Sequence, residues 1–267
     1  PGQSEPGAIG ADSLAALLRK AASEPSIQAV VLRIDSGGGS AFASEIIRQE
    51  ILELNKTGKP VVVSMGSVAA SGAYWISADA DKIMASPNSL TGSIGIFMAV
   101  PTFENTLNTL GIYRDGVGTT NLSGSLDLTG PLSAEVKEAI QLTLEHGYKT
   151  FLSVVSEGRG ITVEEVKEVA QGRVFAGKDA LESGLVDQIG TLSDSIRSAA
   201  ELAGLNDYRI KTLVSPGSLR NRLLNMIGAE SAISYLSKLP VVSALSNLLP
   251  GRGELQSLLL FRDPNGM

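Results

Sequence analysis

Ala29-Val30-Val31-Leu32-Arg33-Ile34 runs directly into Asp35-Ser36-Gly37-Gly38-Gly39-Ser40. The first six residues, Arg33 apart, are apolar and rich in β-branched side chains, the composition of a strand buried on both faces. Three successive glycines let the backbone turn sharply and present bare N–H groups to a ligand with no Cβ in the way. Ser40 is placed to cap a helix from Ala41 to about Asn55, which stops at Gly58-Lys59-Pro60. The alternation continues beyond it. Val61-Val62-Val63-Ser64-Met65 is a second buried strand, Ala70 to Asp79 reads as helix, and Lys82-Ile83-Met84-Ala85 is a third strand. Short apolar strands alternating with helices predict an α/β fold, a mostly parallel sheet covered by helices.

Upstream, residues 1–10 read as a linker, followed by a helix with Asp12 as its cap and Leu14, Leu17, Leu18 and Ala21 on one face, closed by Pro25. Downstream, Ser93 to Val100 is strand-like and Ser133 to about Val155 is one long helix. Thr162-Val163-Glu164-Glu165 is a capping-box start. Residues 11–206 are expected to form one domain. Residues 207–267, rich in Leu and Ser and broken by Pro216, Pro240, Pro250 and Pro264, read as a helical extension. Within it Leu219, Leu223, Met226 and Ile227 share a side, with Arg220 and Arg222 nearby. Packing on a neighbouring subunit is the plainer reading of that stripe, and membrane-surface contact the lesser one. The first residue is Pro1 rather than Met, so the chain reads as a piece of something longer, with any anchor lying elsewhere.

Of the 267 residues, 43% are hydrophobic and 19% charged, enough to bury a sizeable core. A net charge of −6 without clustered Lys and Arg argues against nucleic-acid binding. Zero cysteines exclude disulfides, thiolate metal sites and a Cys nucleophile. With one histidine and scattered carboxylates, neither a metal nor another cofactor is expected. No apolar run reaches the length of about 18 residues that a membrane span requires.

The second chemical candidate after the glycine run is Ser71, in Ala69-Ala70-Ser71-Gly72-Ala73-Tyr74-Trp75. It follows a buried strand and opens a helix, which exposes its hydroxyl and sets the Gly72 N–H at a helix end favourable to negative charge. Small neighbours leave room for a substrate backbone, while Tyr74 and Trp75 fit the core or a pocket floor. A capping serine is the bland alternative. A serine needs a base. The lone His146 sits inside the long helix with nothing in the sequence tying it to Ser71. A buried lysine with its pKa lowered to ~7–8 can serve instead. Yet Lys59 and Lys82 both read as solvated charges, and no lysine occurs between Lys82 and Lys137. Glu45 and Arg48 read as an ordinary solvated helix face.

Four stretches in order resemble the signal peptide peptidase A (protease IV) family, whose fold is related to those of ClpP and the crotonases. They are Ala29 to Ser44, Val61 to Ser77, Leu90-Thr91-Gly92-Ser93-Ile94-Gly95, and Gln171-Gly172-Arg173-Val174-Phe175 through Ile189-Gly190. The resemblance spans roughly residues 7–206. It implies a membrane-associated serine–lysine peptidase that degrades released signal peptides at the exported face of the cell membrane. In it Ser71 would be the nucleophile, and the N–H groups of Gly39 and Gly72 the oxyanion hole. It also implies a homo-oligomer that restricts access to internal sites.

Two departures stand out. Gly37 occupies a position where the family usually has Pro. The segment Gly116 to Ser125, matching the one that carries the base lysine in single-domain members, has none. That pattern resembles the carboxy-terminal half of long, duplicated members, in which the amino-terminal half supplies the lysine. A ClpP-like Ser–His protease, a crotonase-type acyl-CoA enzyme and a non-catalytic assembly half remain the alternatives.

Overall fold

The computed structural model describes residue 2, residues 8–120 and 123–213, and the backbone of 258–262. Helix α1 (Ala11–Ser23) buries Ala11, Leu14, Leu18 and Ala21 along one stripe. Its cap is Gly10 rather than Asp12, because the helix begins earlier than expected. Asp12 instead lies in the first turn, at the positive end of the helix dipole. Lys59 closes the other end. Its ammonium donates to the carbonyls of Ala21, Ala22 and Glu24 at 2.8, 2.8 and 2.9 Å. Lys59 is therefore a part-buried cap, not a solvated charge, and burial lowers its pKa while nearby Glu24 opposes the shift.

Strand β1 (Ile27–Ser36) leads through the glycine run into α2 (Ala41–Lys56), capped by Ser40 Oγ accepting from the Ala43 amide. Then come β2 (Val61–Ala70), α3 (Gly72–Ser77), β3 (Lys82–Ala85) and β4 (Leu90–Gly92). An outlying arm holds α4 (Glu104–Thr109). Next in the chain are α5 (Ala134–Arg159), α6 (Val163–Val169), β5 (Val174–Ala176), α7 (Gly177–Glu182), β6 (Gln188–Ile189), α8 (Leu192–Leu202), β7 (Arg209–Leu213) and β8 (Leu258–Arg262). Ser133 caps α5, Gly160 ends it in a left-handed conformation (φ 65°), and Thr162 and Glu165 form both halves of the expected capping box on α6.

One sheet runs in the order β5-β4-β2-β1-β8-β7, with β3 joining β2 and β6. The pairs β1–β2, β2–β3, β2–β4 and β3–β6 are parallel. The two-residue period of the strands sorts their side chains into two cores. Val30, Leu32, Ile34, Val61, Val63 and Met65 face the larger core, under α1, α2 and α3. Ala29, Val31 and Val62 join Met84, Ala199 and Ala200 in the smaller core on the opposite side, beneath α8. Burying a Val, Leu, Ile or Met side chain in this way contributes roughly 1.5–3 kcal/mol, which is why both faces of β1 and β2 read as apolar.

Two further expectations are corrected. Ser93 to Val100 is not a strand: β4 ends at Gly92, and left-handed φ values at Gly92 (81°) and Ser93 (52°) break the extended run. The helical reading of 207–267 fails at both described ends, where β7 and β8 are strands and β8 lies antiparallel between β1 and β7. The continuous apolar run at 258–261 fits a strand inserted in a sheet as readily as a helix. The stripe Leu219, Leu223, Met226 and Ile227, with Arg220 and Arg222, lies outside the described residues.

Candidate active site

Ser71 sits between the last residue of β2 and the first of α3, at φ 54° and ψ −122°. A residue with a Cβ seldom adopts such angles, and a sharp strand-to-helix turn of this kind lifts its side chain clear of the backbone. Both sides of the turn are pinned. The Ser71 amide donates to Gly92 O at 2.8 Å, and the Trp75 amide donates to Ser71 O at 2.9 Å. Behind it Tyr74 and Trp75 are buried in the core as expected. Tyr74 donates its hydroxyl to Leu185 O at 2.8 Å, and Trp75 stacks at a tilt on Phe151, ring centres 4.6 Å apart.

The glycine run interlocks with this turn. Gly38 has φ 100°, and a Cβ there would lie 2.6 Å from the Gly72 nitrogen and 2.8 Å from Ser71 Cβ. A Cβ on Gly72 would lie 2.5 Å from Ser44 Oγ and 3.1 Å from the Gly39 nitrogen. The two expected oxyanion donors, Gly39 and Gly72, are thus neighbours beside Ser71. The Gly72 amide, first in α3, has no acceptor within its own helix. Backbone N–H groups that converge beside a hydroxyl can stabilise negative charge that develops on an attacked carbonyl.

Ser71 and the glycines open on a cleft of about 890 Å³ whose other walls include Ser93, Phe97, Tyr148 and Gln171. Among the described residues, the non-glycine residues with positive φ are Ser71, Ser93 and Gln171, and all three line this cleft. Such strain costs about 1–3 kcal/mol per residue and persists only where the surroundings enforce it. Here the Ser93 amide donates to Arg173 O at 2.7 Å and the Gly172 amide to Ile94 O at 3.0 Å, tying the two cleft walls together. Nothing local in the sequence places Tyr148, Gln171 or Phe97 at this cleft. The left-handed turns at Ser93 and Gln171 depend on this cross-pairing of distant segments, which leaves no local signal.

Among the described residues no side chain forms a hydrogen bond with the Ser71 hydroxyl. His146 is exposed on α5. Lys59 is engaged at the end of α1. Lys82 pairs with Val62, at the far end of β2 and roughly 30 Å along the strand from Ser71. Also among the described residues, no group of three His, Asp or Glu side chains gathers as a metal site.

Glu45 and Arg48 are the clearest departure from expectation. Arg48 is buried and donates to Glu45 at 2.7 and 2.9 Å and to Asp79 at 2.5 Å, while Trp75 Nε1 donates to Glu45 at 2.7 Å. Burial pushes the Glu45 carboxyl up, but hydrogen bonds from Arg48, Gln49 and Trp75 outweigh it and hold its pKa below the usual value. Hydrogen bonding to Glu45 likewise raises Arg48. The cluster joins α2, which follows the glycine run, to the segment carrying α3, which follows Ser71.

A sequence model of peptidase family S49 matches residues 53–206, more than half of the chain. The chain belongs to peptidase family S49. Protease 4 of Haemophilus influenzae is 42% identical over 99% of this chain and 44% of its own length. Protease 4 of Salmonella typhi is 41% identical over 98% of the chain and 43% of its own length. A putative signal peptide peptidase SppA of Enterococcus faecium is 35% identical over 72% of the chain and 56% of its own. The chain therefore spans less than half the length of the two Protease 4 relatives. Family S49 membership bears out the resemblance read from the sequence, and the mostly parallel α/β fold is the ClpP-like fold of that family. The matched segment contains Ser71 and Gly72, with the glycine run just upstream.

Proposed function

We propose that this chain is the nucleophile-bearing half of a serine–lysine endopeptidase that degrades released signal peptides. The observation that carries it is the left-handed turn at Ser71, packed against Gly38 and Gly39. Ser71 Oγ attacks the scissile carbonyl carbon while its proton passes to a lysine amine. The amides of Gly39 and Gly72 hold the oxyanion, each such donor being worth roughly 3 kcal/mol of barrier. Collapse of the intermediate expels the leaving amine, which takes the proton from the lysine. Water, deprotonated by the same lysine, then hydrolyses the ester and frees Ser71.

The lysine comes from the amino-terminal half of the same longer protein. The lysine-free segment 116–125 and the engaged or distant positions of Lys59 and Lys82 support this reading. The arm around α4 supports assembly with that half and with further copies, because Leu110, Ile112, Tyr113, Val117 and Leu126 are all more than half exposed on it. Among the described residues no helix is long and apolar enough to cross a membrane. Attachment at the exported face of the membrane would therefore use a segment outside them. A ClpP-like Ser–His pairing has no support from the exposed His146.

Hydrolysis of a synthetic apolar signal-sequence peptide by the longer protein tests the reading. Ser71→Ala is expected to lower kcat by about 10⁴-fold or more. Turnover undiminished by that change would remove Ser71 from the mechanism.

A further inference from the structure

The strand that delivers Ser71 does not run regularly to its end. β1 and β2 pair residue for residue from Val30 with Val61 to Ile34 with Met65, and then jump to Ser36 with Ala69. Asp35 alone on β1 therefore faces Gly66, Ser67 and Val68 on β2, a bulge that bends the strand and re-aims its last residues. The Asp35 side chain fills the gap. Asp35 Oδ1 accepts from the Val68 amide at 3.0 Å. A Cβ on Gly66 would lie 2.6 Å from Asp35 Cγ and 2.8 Å from Oδ2, so glycine at 66 leaves the space the carboxylate occupies.

The opposite edge of the bulge is fixed as well. Ser89 Oγ donates to Gly66 O at 2.6 Å and Thr91 Oγ1 to Ala69 O at 2.7 Å, and both side chains are fully buried. Beyond the bulge β2 has only Ala69 and Ala70 left before Ser71. On the other strand Asp35 is followed by Ser36, whose Oγ accepts from the Gly38 amide at 3.2 Å, and then by the glycine run that ends at Gly39. One carboxylate thus spans the two strands shortly before each ends, β2 at Ser71 and β1 at the glycine loop.

We infer that Asp35 is a positioning residue for the Ser71 site, its carboxylate setting the advance of β2 past β1 and so the placement of Ser71 against the Gly39 and Gly72 amides. It touches no reacting atom. The bond to Val68 requires an acceptor of the right length, not a negative charge. The inference rests on Ser71 being the nucleophile.

The test follows acylation of Ser71 by a small fluorophosphonate in the longer protein, across reagent concentrations, so that the maximal rate and the apparent binding constant separate. Asp35→Asn keeps an acceptor oxygen at the same reach and is expected to stay within about threefold of the unaltered protein. Asp35→Glu keeps the charge but adds a methylene, and Asp35→Ala removes the acceptor. Both are expected to lower the maximal rate by about tenfold to a hundredfold, the scale of an ångström's misplacement, with the binding constant little changed. Should Asp35→Ala fail to fold, the contrast between the Asn and Glu variants carries the test alone. Folded Glu or Ala variants that acylate at the unaltered rate would overturn the inference, as would an Asn variant as slow as the other two. An unaltered protein left unlabelled at Ser71 would instead remove the nucleophile assignment, and this inference with it.

Discussion

At the scale of single residues, the site is built on positions where a Cβ is either forbidden or strained. Gly37 and Gly38 make the contrast measurable. A Cβ on Gly38 meets the Gly72 nitrogen and Ser71 Cβ below 3 Å at a left-handed φ, whereas one on Gly37 meets nothing within 4 Å. Gly38→Ala is therefore expected to destabilise the fold by about 2–3 kcal/mol or more and to abolish peptide hydrolysis. Gly37→Ala is expected to change stability by less than about 0.5 kcal/mol. Thermal melts of the two variants check this. Ser71 itself was legible because its signal is local: a β-branched run, small residues and the start of a helix lie within a few positions of it. Gly39 and Gly72 were legible for the same reason, and the structure brings them together. Asp35 and Gly66 were not. Their roles arise from a bulge between strands some thirty residues apart in sequence, and nothing near either residue announces it.

At the scale of elements, the cluster of Arg48, Glu45, Asp79 and Trp75 fixes α2 against the end of α3. Arg48→Met would leave two carboxylates short of their partner, with Arg48 and Asp79 side chains each only 10% exposed. The expected loss is about 3 kcal/mol, read from denaturant unfolding. The pH dependence comes from Glu45. Its folded pKa lies below the ordinary 4.5, so its contribution is fully present above that value and is lost as pH falls through the lower folded pKa. Melting temperature should therefore decline as pH falls below about 4.5, and the decline should be shallower in Arg48→Met. Reading Glu45 and Arg48 as solvated failed because three-residue spacing on a helix suits an exposed pair and a buried one equally. The partner that decides burial, Asp79, sits beyond a different element. The same reason explains Lys59, whose acceptors lie at the end of α1. By contrast β1, β3, α2 and the capping box of α6 carry their evidence within their own sequence, and they appear with bounds close to those expected.

At the scale of the whole molecule, the proposed mechanism makes this architecture half of a device. On the proposed reading the sheet, the glycine loop and the serine turn would supply a nucleophile and its oxyanion donors, while among the described residues no side chain is hydrogen-bonded to the Ser71 hydroxyl. The exposed arm around α4 is the proposed assembly surface. Replacing Tyr113 and Val117, 79% and fully exposed, by Asp should leave the melting temperature within about 2 °C while lowering the assembled mass in sedimentation. The sequence conveyed the fold class and the order of its elements, since strand and helix periods are local. It did not convey the strands β7 and β8, because a short apolar run takes its secondary structure from the neighbours it finds.

The proposed mechanism stands or falls on Ser71 being a nucleophile whose base lies outside this chain. Its most direct measurement is mass-spectrometric detection of fluorophosphonate on the Ser71 peptide, in this chain alone and in the longer protein. Rapid modification of Ser71 is expected in the longer protein, abolished by Ser71→Ala. In the chain alone, modification is expected to be slower by at least about a hundredfold, the scale of a lost general base. Equal rates in the two, or a label on any other serine, would contradict it.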